Sequence, residues 1–210
     1  MLIVIEGPDG SGKGTVAACL SQLLEDRTRR PWPCVADPSH GPTGALVRTA
    51  LATRDVDPRA MVYLFAADRL VAFPSEKSMP DAISERYMLS TVVYQSEHTP
   101  YWLMRGLLCD ERLRRPTLTI VLSCNLCTCK QRLASRGRLS ERYEEDAQLA
   151  AANERYEAVL AGDYLQMPVL RAAQVRNMLC GDIHAVDATR ALEHVVAAVA
   201  EIARAYIPEL

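Results

Sequence analysis

The sequence predicts a three-layer α/β/α fold in which a central parallel sheet of about five strands carries helices on both faces. Two observations predict it. Short apolar runs alternate with longer amphipathic stretches, as strands joined by crossover helices do. The first apolar run leads at once into a glycine-rich loop and then into a helical pattern, a strand–loop–helix unit typical of phosphate-binding folds. In such sheets, binding sites lie at the carboxyl ends of the strands.

Five short segments are the strand candidates. The strongest are residues 2–5 and the run TLTIVL at residues 117–122, because both are continuous apolar runs of the kind buried in parallel sheets. The shorter candidates are residues 33–36, 82–84 and 182–186.

Two stretches show helical periodicity most clearly. Residues 13–25 place Val16, Leu20, Leu23 and Leu24 on one face. Residues 190–206 form the clearest helix, with apolar side chains recurring every three or four positions: Leu192, Val195, Val196, Val199, Ile202 and Tyr206. Each stretch has one apolar face for packing on the sheet, so both belong to the outer layers.

Composition bounds the possible classes of protein. The 210 residues fit a single domain spanning 1–210, and with 49% hydrophobic and 24% charged residues the chain can bury a core. A net charge of −2 argues against a protein that coats nucleic acid. Met1 leads directly into the first apolar run and no stretch of about 18 apolar residues exists, so we expect no leader, no membrane span and a cytoplasmic location.

The basic residues are unequally divided. Of the 24 lysines and arginines only three are lysines, which leaves 21 arginines. Arginine binds phosphate oxygens in pairs, so the excess suits a phosphate-handling protein, although a coding bias toward arginine and alanine explains it equally simply. The positions of the basic residues are therefore more informative than their number, and Lys13 lies in the glycine-rich loop.

That loop has the features of a P-loop. Its glycines let backbone N–H groups converge on phosphate oxygens, the following helix adds its dipole, and Lys13 supplies a mobile positive charge. Gly14 takes the place after the lysine that Ser or Thr usually occupies, and Thr15 comes one residue later. We therefore predict an ATP site formed by Gly7, Asp9, Gly10, Ser11, Gly12, Lys13, Gly14 and Thr15.

Several further segments occur in an order that resembles one family. The opening MLIVIEGPDGSGKGT, the loop DPSHGPTG, the helical LFAADR, the segment ERYMLSTVVYQ, the strand PTLTIVL and the arginine-rich RGRLSERYE resemble, in this order, the motifs of thymidylate kinases. The matched segments begin at residues 1, 37, 64, 85, 116 and 136. The resemblance implies a P-loop nucleoside monophosphate kinase with a lid at about residues 136–144.

The resemblance also implies a nucleotide acceptor site. The Asp9 carboxylate would accept the sugar 3′-hydroxyl, and Arg86 would bind the acceptor monophosphate bidentately. Tyr94 would pack under the sugar and disfavour a 2′-hydroxyl. These three side chains would therefore recognise a deoxyribose monophosphate.

The base would be recognised by a second group of side chains. Phe65, one of only two phenylalanines in the chain, offers a flat apolar face, although a core role is also open to it. Arg69 would lie near the base edge or the acceptor phosphate, and either Gln95 or Thr91 would bind the pyrimidine edge. Pro38 belongs to the matched loop and completes the predicted substrate site.

The resemblance implies that the lid would supply the remaining catalytic charge. Phosphoryl transfer needs positive charge around the transferred group, and the P-loop contains no arginine. Family members of this kind take that charge from the lid, so the resemblance implies a role for Arg136, Arg138 and Arg142, and a solvated basic turn stays open as the alternative. With Lys13, Arg86 and Glu85, these arginines form the predicted catalytic set.

Four departures from the family pattern limit the resemblance. Glu85 stands where Asp is usual before Arg86, and its carboxylate reaches one methylene farther toward a Mg²⁺ that it or Thr15 would help hold. Ser123 and Cys124 follow the fourth strand where an acid is common. The stretch from Arg69 to Glu85 is several residues shorter than usual, and the run at 82–84 is a weak substitute for the usual strand.

The chain has seven cysteines, and three of them form a C-x-x-C-x-C cluster that could bind a metal or remain as free thiols. Cys124, Cys127 and Cys129 have locally metal-like spacing, but a structural zinc site needs a fourth ligand. We therefore favour free thiols over a metal site. The odd number of cysteines in a chain of this size also indicates reduced thiols.

Together these features predict an enzyme that transfers the γ-phosphoryl group of Mg-ATP to dTMP. Its partners would be ATP and dTMP, with neither nucleic acid nor membrane, and the resemblance implies a homodimer. Two alternatives stay open. The acceptor could be dUMP or several deoxynucleoside monophosphates, given the shortened 70–85 stretch, or the chain could be a nucleotide-binding module that has lost catalysis, given Gly14, Glu85 and Ser123.

Overall fold

The computed structural model describes residues 1–53, 55–73, 80–135 and 146–210. They contain a five-stranded sheet of order β2-β3-β1-β4-β5 in which every pair of neighbours is parallel. The strands are β1 (Leu2–Glu6), β2 (Cys34–Ala36), β3 (Ala82–Glu85), β4 (Leu118–Ser123) and β5 (Asp182–Asp187). The predicted parallel α/β sheet is thereby confirmed, and the weak candidate at 82–84 is a strand next to the central one.

Helices connect the strands. They are α1 (Lys13–Thr28), α2 (Pro42–Thr53), α3 (Pro58–Ala72), α4 (Met88–Gln95), α5 (Tyr101–Leu108), α6 (Leu126–Ala134), α7 (Asp146–Ala161), α8 (Ala173–Cys180) and α9 (Leu192–Arg204). A short 3₁₀ turn covers Pro168–Leu170. No helix within the described ranges is long and apolar enough to cross a membrane.

β1, the central strand, shows why helices cover both faces of the sheet. Its side chains alternate in direction, as in any strand. Ile3 and Ile5 pack with α1 and α9 in one core cluster, whereas Leu2 and Val4 pack with α4, α5 and α7 in another. Every residue of β1 is buried, which is the reason that its sequence is a continuous apolar run up to Glu6.

The predicted helices agree with the structure except at their ends. α1 begins at Lys13 as predicted and continues three residues beyond the predicted end, while Leu23 on its predicted apolar face is only half-buried. In α9 Leu192 follows the predicted helical period, yet its side chain is 43% exposed. Leu192 is the first residue of the helix, where the chain has not yet reached the core that Val195 and Val199 enter.

Candidate active site

The P-loop leaves the carboxyl end of β1 and wraps around the Lys13 ammonium group. Gly7, Gly10 and Gly12 all have positive φ, and Gly12 is the left-handed residue that starts α1. The Lys13 ammonium donates a hydrogen bond of 2.8 Å to the Pro8 carbonyl and is almost fully buried. Burial lowers the pKa of Lys13 to about 8. The loop thus holds one desolvated cation at the start of a helix.

The helix that follows β4 packs directly against this loop. A Cβ on Gly10 would lie 2.4 Å from the Cys129 carbonyl oxygen, so only glycine allows α6 to come this close. From α6, Arg132 donates to the Ser11 carbonyl at 3.4 Å and to the Ala188 carbonyl at 2.9 Å. An open groove follows, and the predicted donor-site residues Gly10, Ser11, Gly12 and Thr15 line it together with Arg132 and Arg190.

A second pocket opens on the other side of the P-loop, toward α3 and α4. All eight residues predicted to bind the acceptor line it: Asp9, Pro38, Phe65, Arg69, Arg86, Thr91, Tyr94 and Gln95. Asp37, Leu51 and Ser90 complete the wall. The structure thus brings side chains from the P-loop, the β2–α2 connection, α2, α3, the β3–α4 connection and α4 to one place.

Arg86 lies at the end of this pocket that faces the P-loop. Its φ is +70°, in the left-handed region that few residues other than glycine adopt. Its guanidinium forms a 2.5 Å ion pair with Asp9 and donates to Ser90 Oγ at 3.0 Å. Burial raises the pKa of Asp9, but the nearby Arg86 and Lys13 outweigh it and hold that pKa below its usual value. The carboxylate therefore stays charged.

Arg69 lies at the opposite end and is 1% exposed. Its guanidinium pairs with Asp37 at 2.7 Å and donates to Thr91 Oγ1 at 2.7 Å, while it lies 5.5 Å from the centre of the Phe65 ring. Burial raises the pKa of Asp37 despite the adjacent guanidinium. Arg69 thus lies beside Phe65 and Thr91, two of the residues predicted to recognise the base.

Several buried polar atoms in this pocket have no hydrogen-bond partner in the described part of the chain. They are Arg69 Nη1, Asp37 Oδ1 and both amide atoms of Gln95. Buried polar groups normally find partners, so such a cluster indicates a place where a ligand supplies them. Of the two residues predicted to contact the pyrimidine edge, Thr91 already accepts from Arg69, whereas the Gln95 amide has no partner in the described part of the chain.

Glu85 and Thr15 are the residues that the sequence predicts to help hold a metal ion. The Glu85 carboxylate makes no hydrogen bond or ion pair with any described residue, and a Cβ on Gly14 would lie 2.8 Å from its Oε2. The described residues contain no group of three or more His, Cys, Asp or Glu side chains able to hold a metal alone. Mg²⁺ is commonly bound by one or two carboxylates together with nucleotide phosphates, so an unpaired carboxylate beside the P-loop fits it.

Two departures in the sequence fit each other in space. Glu85 carries one methylene more than the usual Asp, and its carboxylate occupies the space that a side chain at position 14 would need. The P-loop glycine and the longer acid are thus sterically matched. Sequence reasoning treated them as separate departures, since 71 positions divide them in the chain.

Sequence reasoning also missed Glu6, Asp37, Ser90 and Tyr156. The signal that could have found Glu6 is a charged residue closing an otherwise apolar strand directly before the P-loop. Three predicted catalytic residues, Arg136, Arg138 and Arg142, lie outside the described residues, as does the rest of the predicted lid.

The cysteine cluster adjoins the P-loop. All seven cysteines lie in the described ranges, and none of them forms a disulfide there. Cys124 and Cys129 are buried where β4 runs into α6, and the Cys129 thiol donates to the Cys124 carbonyl at 3.9 Å, whereas Cys127 is exposed. Cys124 and Cys129 thus act as small packing residues behind the loop.

Comparison with known proteins agrees with this geometry. The family model for thymidylate kinase matches residues 5–197. A probable thymidylate kinase from Caldivirga maquilingensis is 32% identical over 87% of this chain and 91% of the relative, and one from Pyrobaculum aerophilum is 32% identical over 86% and 93%.

A solved structure extends the likeness to the fold. The thymidylate kinase from Candida albicans, described as having broad substrate specificity, superposes with a TM-score of 0.71 at 23% identity, covering all of this chain and 93% of that one. The chain therefore belongs to the thymidylate kinase family and is an enzyme of that family, as the matches, the P-loop and the pocket beside it together indicate.

Proposed function

We propose that this enzyme transfers the γ-phosphoryl group of Mg-ATP to dTMP, forming dTDP and ADP. The observation that carries the proposal is the pocket beside the P-loop. Its lining unites an ion-paired arginine at the phosphate end with an aromatic wall and unpartnered polar atoms at the other end. A deoxynucleoside monophosphate has the same order of groups, namely phosphate, sugar and base.

The unpartnered atoms suit a pyrimidine with two carbonyl oxygens and one N–H. Arg69 Nη1 can donate to a carbonyl oxygen, and the Gln95 amide can both donate and accept. Phe65 offers a face for stacking on the base. Thymine presents these complementary groups on one edge, as uracil does and cytosine does not, and this match supports dTMP over dCMP as the acceptor.

The reaction needs positioning and charge more than covalent chemistry. An oxygen of the acceptor phosphate, already ionised, attacks the γ-phosphorus while the bond to the ADP oxygen breaks, so no strong general base is required. Arg86 would hold the acceptor phosphate, and Lys13 would contact the β- and γ-phosphates. Mg²⁺, held with Glu85 or Thr15, would neutralise charge on the phosphates. Arg136, Arg138 and Arg142 of the lid would surround the transferred group.

A coupled ADP-release assay with a panel of monophosphates tests this function. We expect the highest kcat/KM with dTMP, and loss of most turnover in Arg86→Ala because the acceptor phosphate loses its cation. Equal activity with dTMP, dCMP, dGMP and dAMP would replace the proposal with a broad deoxynucleoside monophosphate kinase. Absence of turnover with every member of the panel would leave only a nucleotide-binding module.

We further propose a homodimer formed through α3. Exposed positions of this helix recur every four residues, and three of them are apolar: Tyr63, Ala67 and Val71. Tyr63 is 50% and Val71 62% exposed, so the helix carries an apolar stripe on its outer face as well as on its core face. A second copy of the chain would cover that stripe, and light scattering on the purified protein would measure the oligomeric state.

A further inference from the structure

A buried carboxylate connects the P-loop strand to the acceptor helix. Glu6, the last residue of β1, is 0% exposed. Its Oε1 accepts from the backbone N–H groups of Tyr87 at 2.9 Å and Ser90 at 3.1 Å, and its Oε2 accepts from Ser90 Oγ at 2.6 Å and Tyr156 Oη at 2.8 Å. Burying a carboxylate is costly unless its lone pairs are satisfied, so these four hydrogen bonds explain how Glu6 stays buried at this position.

The partners of Glu6 lie on both sides of Arg86 in the structure. The Arg86 N–H donates to the Ile5 carbonyl at 2.9 Å, and the next N–H, of Tyr87, donates to Glu6. The Arg86 guanidinium donates to Ser90 Oγ at 3.0 Å, and this hydroxyl donates to Glu6. Both the backbone and the side chain of Arg86 are therefore tied to Glu6 and its strand.

The backbone of Arg86 needs such restraint. A left-handed φ of +70° is unfavourable for a residue other than glycine, and it persists only where the surroundings determine it. Without the Glu6 carboxylate, the N–H groups of Tyr87 and Ser90 at the start of α4 would lose their acceptor. Arg86 would then relax and would have to be reordered whenever the acceptor binds.

We propose that Glu6 is a positioning residue that holds Arg86 ready for the acceptor phosphate. The inference rests on the proposed function, in which Arg86 binds that phosphate. It assigns Glu6 a role in acceptor affinity that is separate from its place beside the P-loop. The hydrogen bonds of Glu6, and not its charge alone, would perform this role.

Steady-state kinetics of three variants test the proposal. Glu6→Ala removes all four hydrogen bonds, and we expect the KM for dTMP to rise about tenfold or more while the KM for ATP changes by less than about twofold. Glu6→Gln keeps an amide oxygen for the two N–H groups, so we expect it to restore the KM for dTMP to within about threefold of the wild type. Tyr206→Phe, the matched control, removes a tyrosine–carboxylate hydrogen bond outside the pocket, that of Tyr206 Oη to Asp182, and should leave both constants within about twofold.

Several results would overturn the proposal. These are an unchanged KM for dTMP in folded Glu6→Ala, equal rises in both KM values, or a Glu6→Gln variant as impaired as Glu6→Ala, which would indicate a charge effect. If Glu6→Ala does not fold, Ser90→Ala decides: a KM for dTMP raised about threefold with normal ATP kinetics supports the proposal, and an unchanged value refutes it. A wild-type enzyme inactive with dTMP would contradict the proposed function itself, whereas an active wild type with unaffected variants contradicts only the role of Glu6.

Discussion

Gly14→Ala is predicted to slow phosphoryl transfer, and the additional change Glu85→Asp is predicted to restore most of the rate. A Cβ at position 14 would lie 2.8 Å from Glu85 Oε2 and 3.2 Å from the carboxyl carbon, whereas ordinary contacts begin at 3.4 Å. The added methyl group therefore displaces the carboxylate by about 0.6 Å. Because the carboxylate is the free end of a side chain, it moves and the P-loop does not.

The size of the effect follows from this displacement. A misplacement of about 1 Å can cost a reaction about 100-fold, so a shift of roughly half that distance is expected to lower kcat about tenfold. Folding should not suffer, since Gly14 lies in α1 without a positive φ and alanine favours a helix by up to about 1 kcal/mol. The loss would then be one of geometry at the P-loop.

The coupled ADP-release assay at saturating ATP and dTMP measures kcat for the wild type, both single variants and the double variant. Thermal unfolding of the same four proteins is the control for stability. In Gly14→Ala/Glu85→Asp the shorter acid no longer reaches the methyl group, so kcat should rise above that of Gly14→Ala. A Gly14→Ala enzyme with wild-type kcat, or a double variant no faster than Gly14→Ala, would refute the steric pairing and the catalytic role of Glu85.

Three further predictions concern the buried charges and the outer face of α3. Asp37→Asn should destabilise the fold by about 3 kcal/mol in urea unfolding, because it leaves the Arg69 guanidinium buried without its counter-ion; a loss below about 1 kcal/mol would contradict this. The KM for ATP should rise above pH 8, because the Lys13 ammonium then loses its proton, and a KM for ATP that stays constant from pH 7 to 9 would count against this. The contribution of Lys13 to the free energy of unfolding should increase from pH 8 to about 10.5, because in that range only the unfolded chain keeps the proton. Tyr63→Glu should convert the proposed dimer to a monomer in light scattering, and an unchanged mass would argue against α3 as the interface.

The parallel sheet could be predicted because its strongest strands, β1 and β4, are short continuous apolar runs, whereas the segment that forms β3 gave only a weak signal. Both faces of β1 are buried, so all its side chains but the last are apolar, and a short run of letters suffices to recognise it. The burial of side chains near the ends of helices is harder to predict. Leu192 continues the helical period of α9 but is exposed, because periodicity says which way a side chain points and not whether a neighbour meets it there.

The acceptor residues were predicted by resemblance to family motifs, and the structure gathers them around one pocket. The motifs do not indicate which ion pairs and hydrogen bonds these residues form with other parts of the chain. Arg69 is paired with Asp37 and Arg86 with Asp9, partners 32 and 77 positions away in the chain. Such pairings depend on distances of a few ångströms between separate elements.

The sequence by itself determined the alternation of strands and helices and the phosphate-binding loop, because apolar periodicity, glycines and a single lysine act over a few neighbouring residues. Only the tertiary structure decided which charges are matched. It placed the Glu85 carboxylate in the space that Gly14 leaves open, and it brought four donors, from Tyr87, Ser90 and Tyr156, to the Glu6 carboxylate. Hydrogen bonds and steric exclusion act at contact distance, and contact between remote segments arises only when the sheet brings their ends together.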